Sequence, residues 1–291
     1  MIPPPFDYVR PSGLPDTLQV LKEREGEAKV LSGGYSLIPL LKLRLAQPTL
    51  LVDIRDVGGL DAIVETDDEL VVGARATHRR ILLDAAVGAR YPLLRDAAGG
   101  IGDPQVRNWG TIGGSCAHAD PSADWPAVLI AARATLVCRS IDGERRIPAR
   151  DFFVDTFVTA IEPAELLTEV RIPRPRARSG GAYQKIERKA GDFATAAAAV
   201  QLRLAADGRI EEAGVGLAAL AETQFAATDA ERVLTGGMPS EELFRAAGDA
   251  AAAQSRPAAD THGPVAYKRA MAAEMTVRAL RRAVARALGQ A

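Results

Sequence analysis

Two stretches of the chain set glycines among hydroxyl side chains in a way that suits the holding of an anion. The first is SGGYS, Ser32 to Ser36, where an apolar run stops and a helical pattern begins. Glycines let the backbone come close to a ligand, and successive N–H groups at the start of a helix supply positive potential. The second is GTIGGSCAHADPSAD, Gly110 to Asp124. It offers Gly113 and Gly114 for close approach, Thr111 and Ser115 as hydroxyl donors, and Asp124 as an acceptor. Either stretch alone reads as an ordinary turn. Together they suit one extended ligand, because a pyrophosphate takes donors from two sides and an attached ribose or ribityl chain can use a carboxylate. That combination points to a dinucleotide held without a Rossmann fold.

Other chemistries lack their residues. There is no P-loop, and no strand-to-helix GxGxxG with an acidic residue about twenty positions on. The three histidines, His78, His118 and His262, have no partner at metal-ligand spacing. No nucleophile elbow is present. Cys116 and Cys138 are the only cysteines and do not form a CxxC pair. An iron–sulfur cluster takes about four cysteine ligands, so this chain alone cannot hold one, and both thiols read as buried and reduced. Lys and Arg number 36 against 37 Asp and Glu, a balance that argues against nucleic acid as a partner. The start lacks the basic and apolar regions of a secretory signal, and no apolar run approaches the roughly 20 residues of a membrane span. A cytoplasmic location is expected, with at most peripheral membrane association.

The elements that would position these residues form two regions. Asp16 is expected to cap a first helix carrying Leu18 and Leu21, followed by a strand at Ala28 to Leu31. Ser36 is placed to cap the next helix, whose Leu37, Leu40, Leu41 and Leu45 keep helical spacing and read as the packing behind the glycine turn. TLLVDI and DELVVGARAT read as strands, and Thr77 as the cap of HRRILLDAA. The stretch from Ala97 to Asp124 has six glycines between Gly99 and Gly114 and reads as a long functional loop. WPAVLIAARA then reads as a helix, and TLVCRS and ELLTEVRIP as strands. PRPRARSGG, Pro173 to Gly181, is the expected domain junction. Beyond it AYQKIER, TAAAAVQLRL and GRIEEAGVGLAAL read as strands, with a hairpin signal at Asp207-Gly208. Tyr267, Met271, Met275, Leu280, Val284 and Leu288 make helical stripes, with an arginine face read as solvated.

At these motifs the chain resembles a known family. LSGGYSLIPLLKLRLAQP resembles the first FAD signature of the flavoprotein (medium) subunits of molybdenum hydroxylases, and RNWGTIGGSCAHADPSADWPAVL resembles the second. FVTAIEPAELLTEVRIP and YQKIERKAGDFATAAAAV continue the match across nearly the full chain. Within the family, GDPQVRNWGTIGG and RKAGDFATAAAAV are most similar to the aerobic carbon monoxide dehydrogenase branch.

The resemblance implies an α+β fold. A vanillyl-alcohol-oxidase (PCMH-type) FAD-binding domain over residues 1–176, with subdomains of about 1–56 and 57–176, is followed by a C-terminal flavoprotein domain over 177–291, an antiparallel sheet plus helices. It implies non-covalent FAD, with attachment through His78 or His118 disfavoured. Ser32, Gly33, Gly34, Tyr35, Ser36 and Leu37 are implied at the pyrophosphate. Thr111, Gly113, Gly114 and Ser115 make the second cradle, and Asp124 meets ribityl or ribose hydroxyls. His118, Ile161 and Leu167 are implied along the cofactor, with Lys185 beside the flavin, where an ammonium would favour its reduced anion. Phe193 stands where the carbon monoxide branch resembles GDYATA, which leaves the substrate open. The implied partners are a 2Fe–2S small subunit and a molybdopterin large subunit in a dimer of heterotrimers, with quinone or NAD as acceptor. The medium subunit of an aldehyde, xanthine or N-heterocycle dehydrogenase of the same family, a stand-alone flavin oxidoreductase, and a scaffold that has lost FAD are the competing readings.

Overall fold

A computed structural model of the chain describes residues 2–290; residues 1 and 291, where the outer domain limits fall, lie outside it. Near the N-terminus, strands Asp7–Val9, Leu50–Asp53 and Ala28–Leu31 pair in parallel with Leu50–Asp53 in the middle. That middle strand is buried at every position, as a strand covered on both faces must be. Helix Leu14–Glu23 packs Leu18 and Leu21 against it. The helix starts earlier than its sequence suggests. Gly13 is the cap, Pro15 takes the first turn, and Asp16 lies inside. Proline is at home there because its missing N–H would be unpaired anyway.

A five-stranded antiparallel sheet follows, in the order Ile63–Glu65, Glu69–Gly73, Leu166–Pro173, Thr135–Ser140, Gly143–Pro148. Its buried face includes Leu70, Val72, Val170 and Ile172. The largest departure from the sequence reading lies between Ala97 and Asp124. Most of that stretch is helical: it takes in the end of Pro92–Gly100 and all of Pro104–Trp109 and Ile112–His118. Prolines open the first two helices, Asp103 Oδ1 accepts from Val106 N (2.8 Å), and Thr111 Oγ1 accepts from Gly114 N (3.0 Å). Helices of two turns or so leave no room for a 3.6-residue period to show, so the caps were the only signal.

The C-terminal sheet is antiparallel, in the order Ser179–Ile186, Ala196–Leu204, Ile210–Ala218, Phe225–Ala226. Helix Val265–Ala287 covers one face and helix Asp124–Ala131 the other. Strand Ala196–Leu204 is therefore buried at five successive positions and does not alternate. The fit depends on small residues. A Cβ at Gly214 or Gly216 would collide with the carbonyl oxygens of Ala131 or Ala127, and one at Gly180 with that of Ala283. Helix Asp124–Ala131 is thereby wedged between the two parts of the chain and buried at all eight positions.

Along helix Val265–Ala287, Met275, Leu280 and Val284 are buried while Tyr267, and Leu288 just beyond the helix, are exposed. Its arginine face is only partly solvated. Arg282 and Arg286 reach Asp96 at 3.2 and 2.6 Å, tying the last helix to the N-terminal part.

Candidate cofactor site

The two glycine–hydroxyl stretches meet. Ser32 Oγ lies 3.1 Å from Thr111 Oγ1. A Cβ at Gly33 would collide with the Trp109 carbonyl oxygen and stand 3.1 Å from Gly110 Cα. Only glycine lets the first turn lie against the second segment. Gly34 at φ 85 then turns the chain into helix Leu37–Lys42.

The first turn has the free donors. Among the described residues, the backbone N–H groups of Ser32, Gly33, Gly34, Tyr35 and Ser36 find no acceptor in the chain, and neither does that of Thr111. Such a run of unpaired N–H groups is an anion nest in search of an acceptor. The second stretch contributes differently from its sequence reading. Ile112 N donates to Ala76 O (3.0 Å) and Gly113 N to Ala74 O (2.8 Å). A Cβ at Gly113 would meet Ala74, 2.5 Å from its Cβ. Gly113 and Gly114 thus serve the chain's own packing and capping, and the groups left to a ligand are the Thr111 N–H and the Thr111 and Ser115 hydroxyls.

The leucines after the turn do less packing than their spacing suggests. Leu41 is buried and Leu37 and Leu40 are half-buried, but Leu43 and Leu45 are exposed, Leu45 at 73%. Helix Leu37–Lys42 is too short to bury a full stripe. Ser36 stands at its N-cap without a side-chain hydrogen bond. Tyr35 is 43% exposed.

Asp124 and Lys185 come together at the start of the wedged helix. Asp124 Oδ1 accepts from the Tyr183 hydroxyl (2.6 Å) and lies 3.2 Å from Lys185 Nζ. Burial pushes the Asp124 carboxyl up, against the pull of Lys185 and the Tyr183 hydroxyl. Its Oδ2 takes no hydrogen bond from the described residues. Lys185 Nζ also donates to Gly100 O (2.8 Å) and Asp192 O (3.2 Å), and Glu187 Oε2 is 3.0 Å away. An ammonium has three donors, so Lys185 is fully engaged and faces two carboxylates. It presents no uncompensated positive charge, contrary to the tuning role suggested by the motif.

Tyr183 and Glu187 escaped the sequence reading, although period two on strand Ser179–Ile186 places Tyr183 and Lys185 on one face. Glu187 Oε1 accepts from Gly191 N (3.2 Å), and Gly191 lies against the Gly102 backbone. This network anchors the GDFATA loop, where Phe193 is 52% exposed. His118 is half-buried and stacks on Phe157 at 5.0 Å. Leu167 is buried and Ile161 half-buried, both beside the core that holds helix Ile112–His118. His78 is buried behind the second stretch: its backbone N–H donates to Gly110 O (3.0 Å) and its Nδ1 accepts from Trp125 Nε1 (2.9 Å).

The free N–H run, joined through Ser32 to Thr111 in a topology other than the Rossmann fold, forms a nest that suits an anion. The chain belongs to the FAD-binding domains of molybdopterin dehydrogenases, whose family profile matches residues 4–175; the profile of the CO dehydrogenase flavoprotein C-terminal domain matches 181–283. It is 42% identical to the carbon monoxide dehydrogenase medium chain of Afipia carboxidovorans over 287 residues, 99% of each chain. A chain of the solved carbon monoxide dehydrogenase from Hydrogenophaga pseudoflava, 43% identical, superposes with a TM-score of 0.95 over 98% of this chain and 99% of that one. A chain of quinoline 2-oxidoreductase from Pseudomonas putida 86, 34% identical, gives 0.91 over 100% and 99%. The protein is an FAD-binding oxidoreductase subunit of the molybdenum hydroxylase type, and the α+β fold is that of these flavoproteins.

Proposed function

We propose that the chain is the electron-transfer medium subunit of an aerobic carbon monoxide dehydrogenase. The observation that carries the cofactor half is the run of unpaired N–H groups from Ser32 to Ser36 against Thr111. The likeness to carbon monoxide dehydrogenase medium chains at 42% and 41% identity supports the substrate half. The division into residues 1–176 and 177–291 is part of the reading, supported by the two matched ranges.

Bound FAD supplies two-electron chemistry that can be discharged one electron at a time. The N–H groups of Ser32 to Ser36, with Thr111 and Ser115, would hold its diphosphate, and the free Oδ2 of Asp124 would accept from a sugar or ribityl hydroxyl. Lys185 keeps Asp124, Gly100 and the GDFATA loop in register, and Tyr35 and Phe193 would lie beside the cofactor. Carbon monoxide is oxidised on a molybdopterin subunit. Electrons reach this chain through 2Fe–2S clusters of a small subunit and leave to a quinone, from the cytoplasmic face. The two cysteines here are buried in the core and reach no such cluster.

Copurification tests the reading. Tagged chain drawn from its native host should bring down an iron–sulfur and a molybdopterin chain, and carbon monoxide should bleach the flavin band. A chain that never takes up FAD overturns the cofactor half. A complex bleached by an aldehyde or N-heterocycle and not by carbon monoxide overturns the substrate half.

A further inference from the structure

Away from the cradle, a cavity of about 140 Å³ lies where the central and C-terminal sheets join. Arg133, Arg174, Arg176 and Arg203 stand in its wall, with Ser179 and one carboxylate, Glu212. Three elements supply the arginines. Arg133 follows helix Asp124–Ala131, Arg174 and Arg176 lie between strands Leu166–Pro173 and Ser179–Ile186, and Arg203 is on strand Ala196–Leu204.

Two of these arginines are held in unusual ways. Arg203 commits its terminal nitrogens to Glu211 and Glu212 at 2.6 and 2.9 Å, while its Nε is buried with no partner. A buried N–H without an acceptor costs free energy. Arg133 sits at φ 54 in the left-handed turn that ends its helix. There Arg133 N returns to Ile130 O (3.2 Å) and Ala134 N to Leu129 O (2.9 Å). Glycine is the usual residue in that motif; arginine strains the backbone and gains a guanidinium at the cavity wall.

The local charge is under-compensated. Arg133 has no carboxylate partner among the described residues and donates to Ala213 O at 3.1 Å. Arg174 has its nearest carboxylate, Glu65, at 4.0 Å, and Glu212 is shared by Arg203 and, at 3.9 Å, Arg176.

We propose that this cavity binds a phosphate-sized oxyanion, held chiefly by Arg133, Arg174 and the Nε–H of Arg203. At the roughly 30 Å³ that a water takes in the liquid, the space holds about five waters' worth of volume, room enough for a phosphate. The guanidinium fork matches such oxygens. The bound anion ties the linker to both flanking sheets. Free phosphate and the head of a phosphomonoester share this chemistry.

Calorimetric titration of the full chain, saturated with FAD, tests the site. Inorganic phosphate and glycerol phosphate are each compared with chloride at matched ionic strength. Saturable one-site binding of either phosphate is expected, and the tighter of the two assigns the source. Arg133→Gly, which suits the left-handed φ and so should fold, and Arg174→Gln should each weaken binding at least tenfold with FAD still bound. No binding beyond that of chloride, or undiminished affinity in both variants, overturns the proposal.

Discussion

Ser32 Oγ and Thr111 Oγ1 are 3.1 Å apart although 79 residues separate them in the chain. This contact closes the proposed diphosphate cradle. Ser32→Ala removes one hydroxyl and should cost about 0.5–1.5 kcal/mol of stability. Thr111→Ala also loses the cap on Gly114 N and should cost more, about 0.5–2 kcal/mol for the cap alone. Urea unfolding of both variants and the double variant should show coupling, and FAD titration should show weaker binding for Thr111→Ala than for Ser32→Ala.

Gly33→Ala places a methyl against the Trp109 carbonyl and the Gly110 backbone. Backbone on the far side cannot yield as a flexible side chain would. Overpacking of this kind costs about 1–3 kcal/mol, and here it pushes the two halves of the cradle apart. Flavin absorbance during FAD titration should show at least a tenfold loss of affinity, with a lower melting temperature in calorimetry.

Lys185→Met leaves Asp124 and Glu187 facing each other without a cation in a buried cluster. Removing one partner of a buried pair typically costs about 3–5 kcal/mol. Asp124→Asn should cost less, because Lys185 keeps Glu187 at 3.0 Å and two backbone carbonyls. Chemical unfolding of the two variants at neutral pH checks that order.

His78 should make stability depend on acid. Burial, with a smaller push from Arg107, lowers its pKa from 6.5 to about 4. Between those values the unfolded chain binds the proton and the folded one does not, so stability rises with pH across that window. The contribution, on the order of 3 kcal/mol, is present above pH 6.5 and lost as pH falls toward 4. His78→Gln keeps an acceptor for Trp125 Nε1 and cannot titrate. Unfolding curves from pH 7 to 4 should slope less steeply for the variant than for the parent.

Both cysteines should be inert. Cys116 and Cys138 are fully buried, and burial raises both thiols, that of Cys138 to about 12. A chromogenic disulfide reagent should find no reactive thiol in the folded protein and two after denaturation.

Much of the architecture was legible in the residues. Alternation or apolar runs place the main strands, and Thr77 sits at a cap position, its Oγ1 accepting from Arg80 N at 3.2 Å. Asp207-Gly208 marked the hairpin, with Gly208 at φ 91. The short helices between Pro92 and His118 were not legible, because too few residues fall in each for periodicity. Nor was the partial burial of the leucines after Ser36, since spacing shows which residues share a face but not whether anything covers it.

By itself the sequence determined the local chemistry: glycines and hydroxyls in two stretches, an acid before a buried helix, and a lysine on a strand. Its motifs also carried the family. Which donors stay free was decided only by the tertiary structure. The backbone of Ala74 and Ala76 takes the N–H groups of Gly113 and Ile112, while nothing among the described residues reaches those of Ser32 to Ser36. Lys185 likewise looked like a lone charge until folding set two carboxylates and two carbonyls around it. Hydrogen-bond satisfaction and charge compensation depend on partners distant in sequence, and only the packed chain brings those partners within reach.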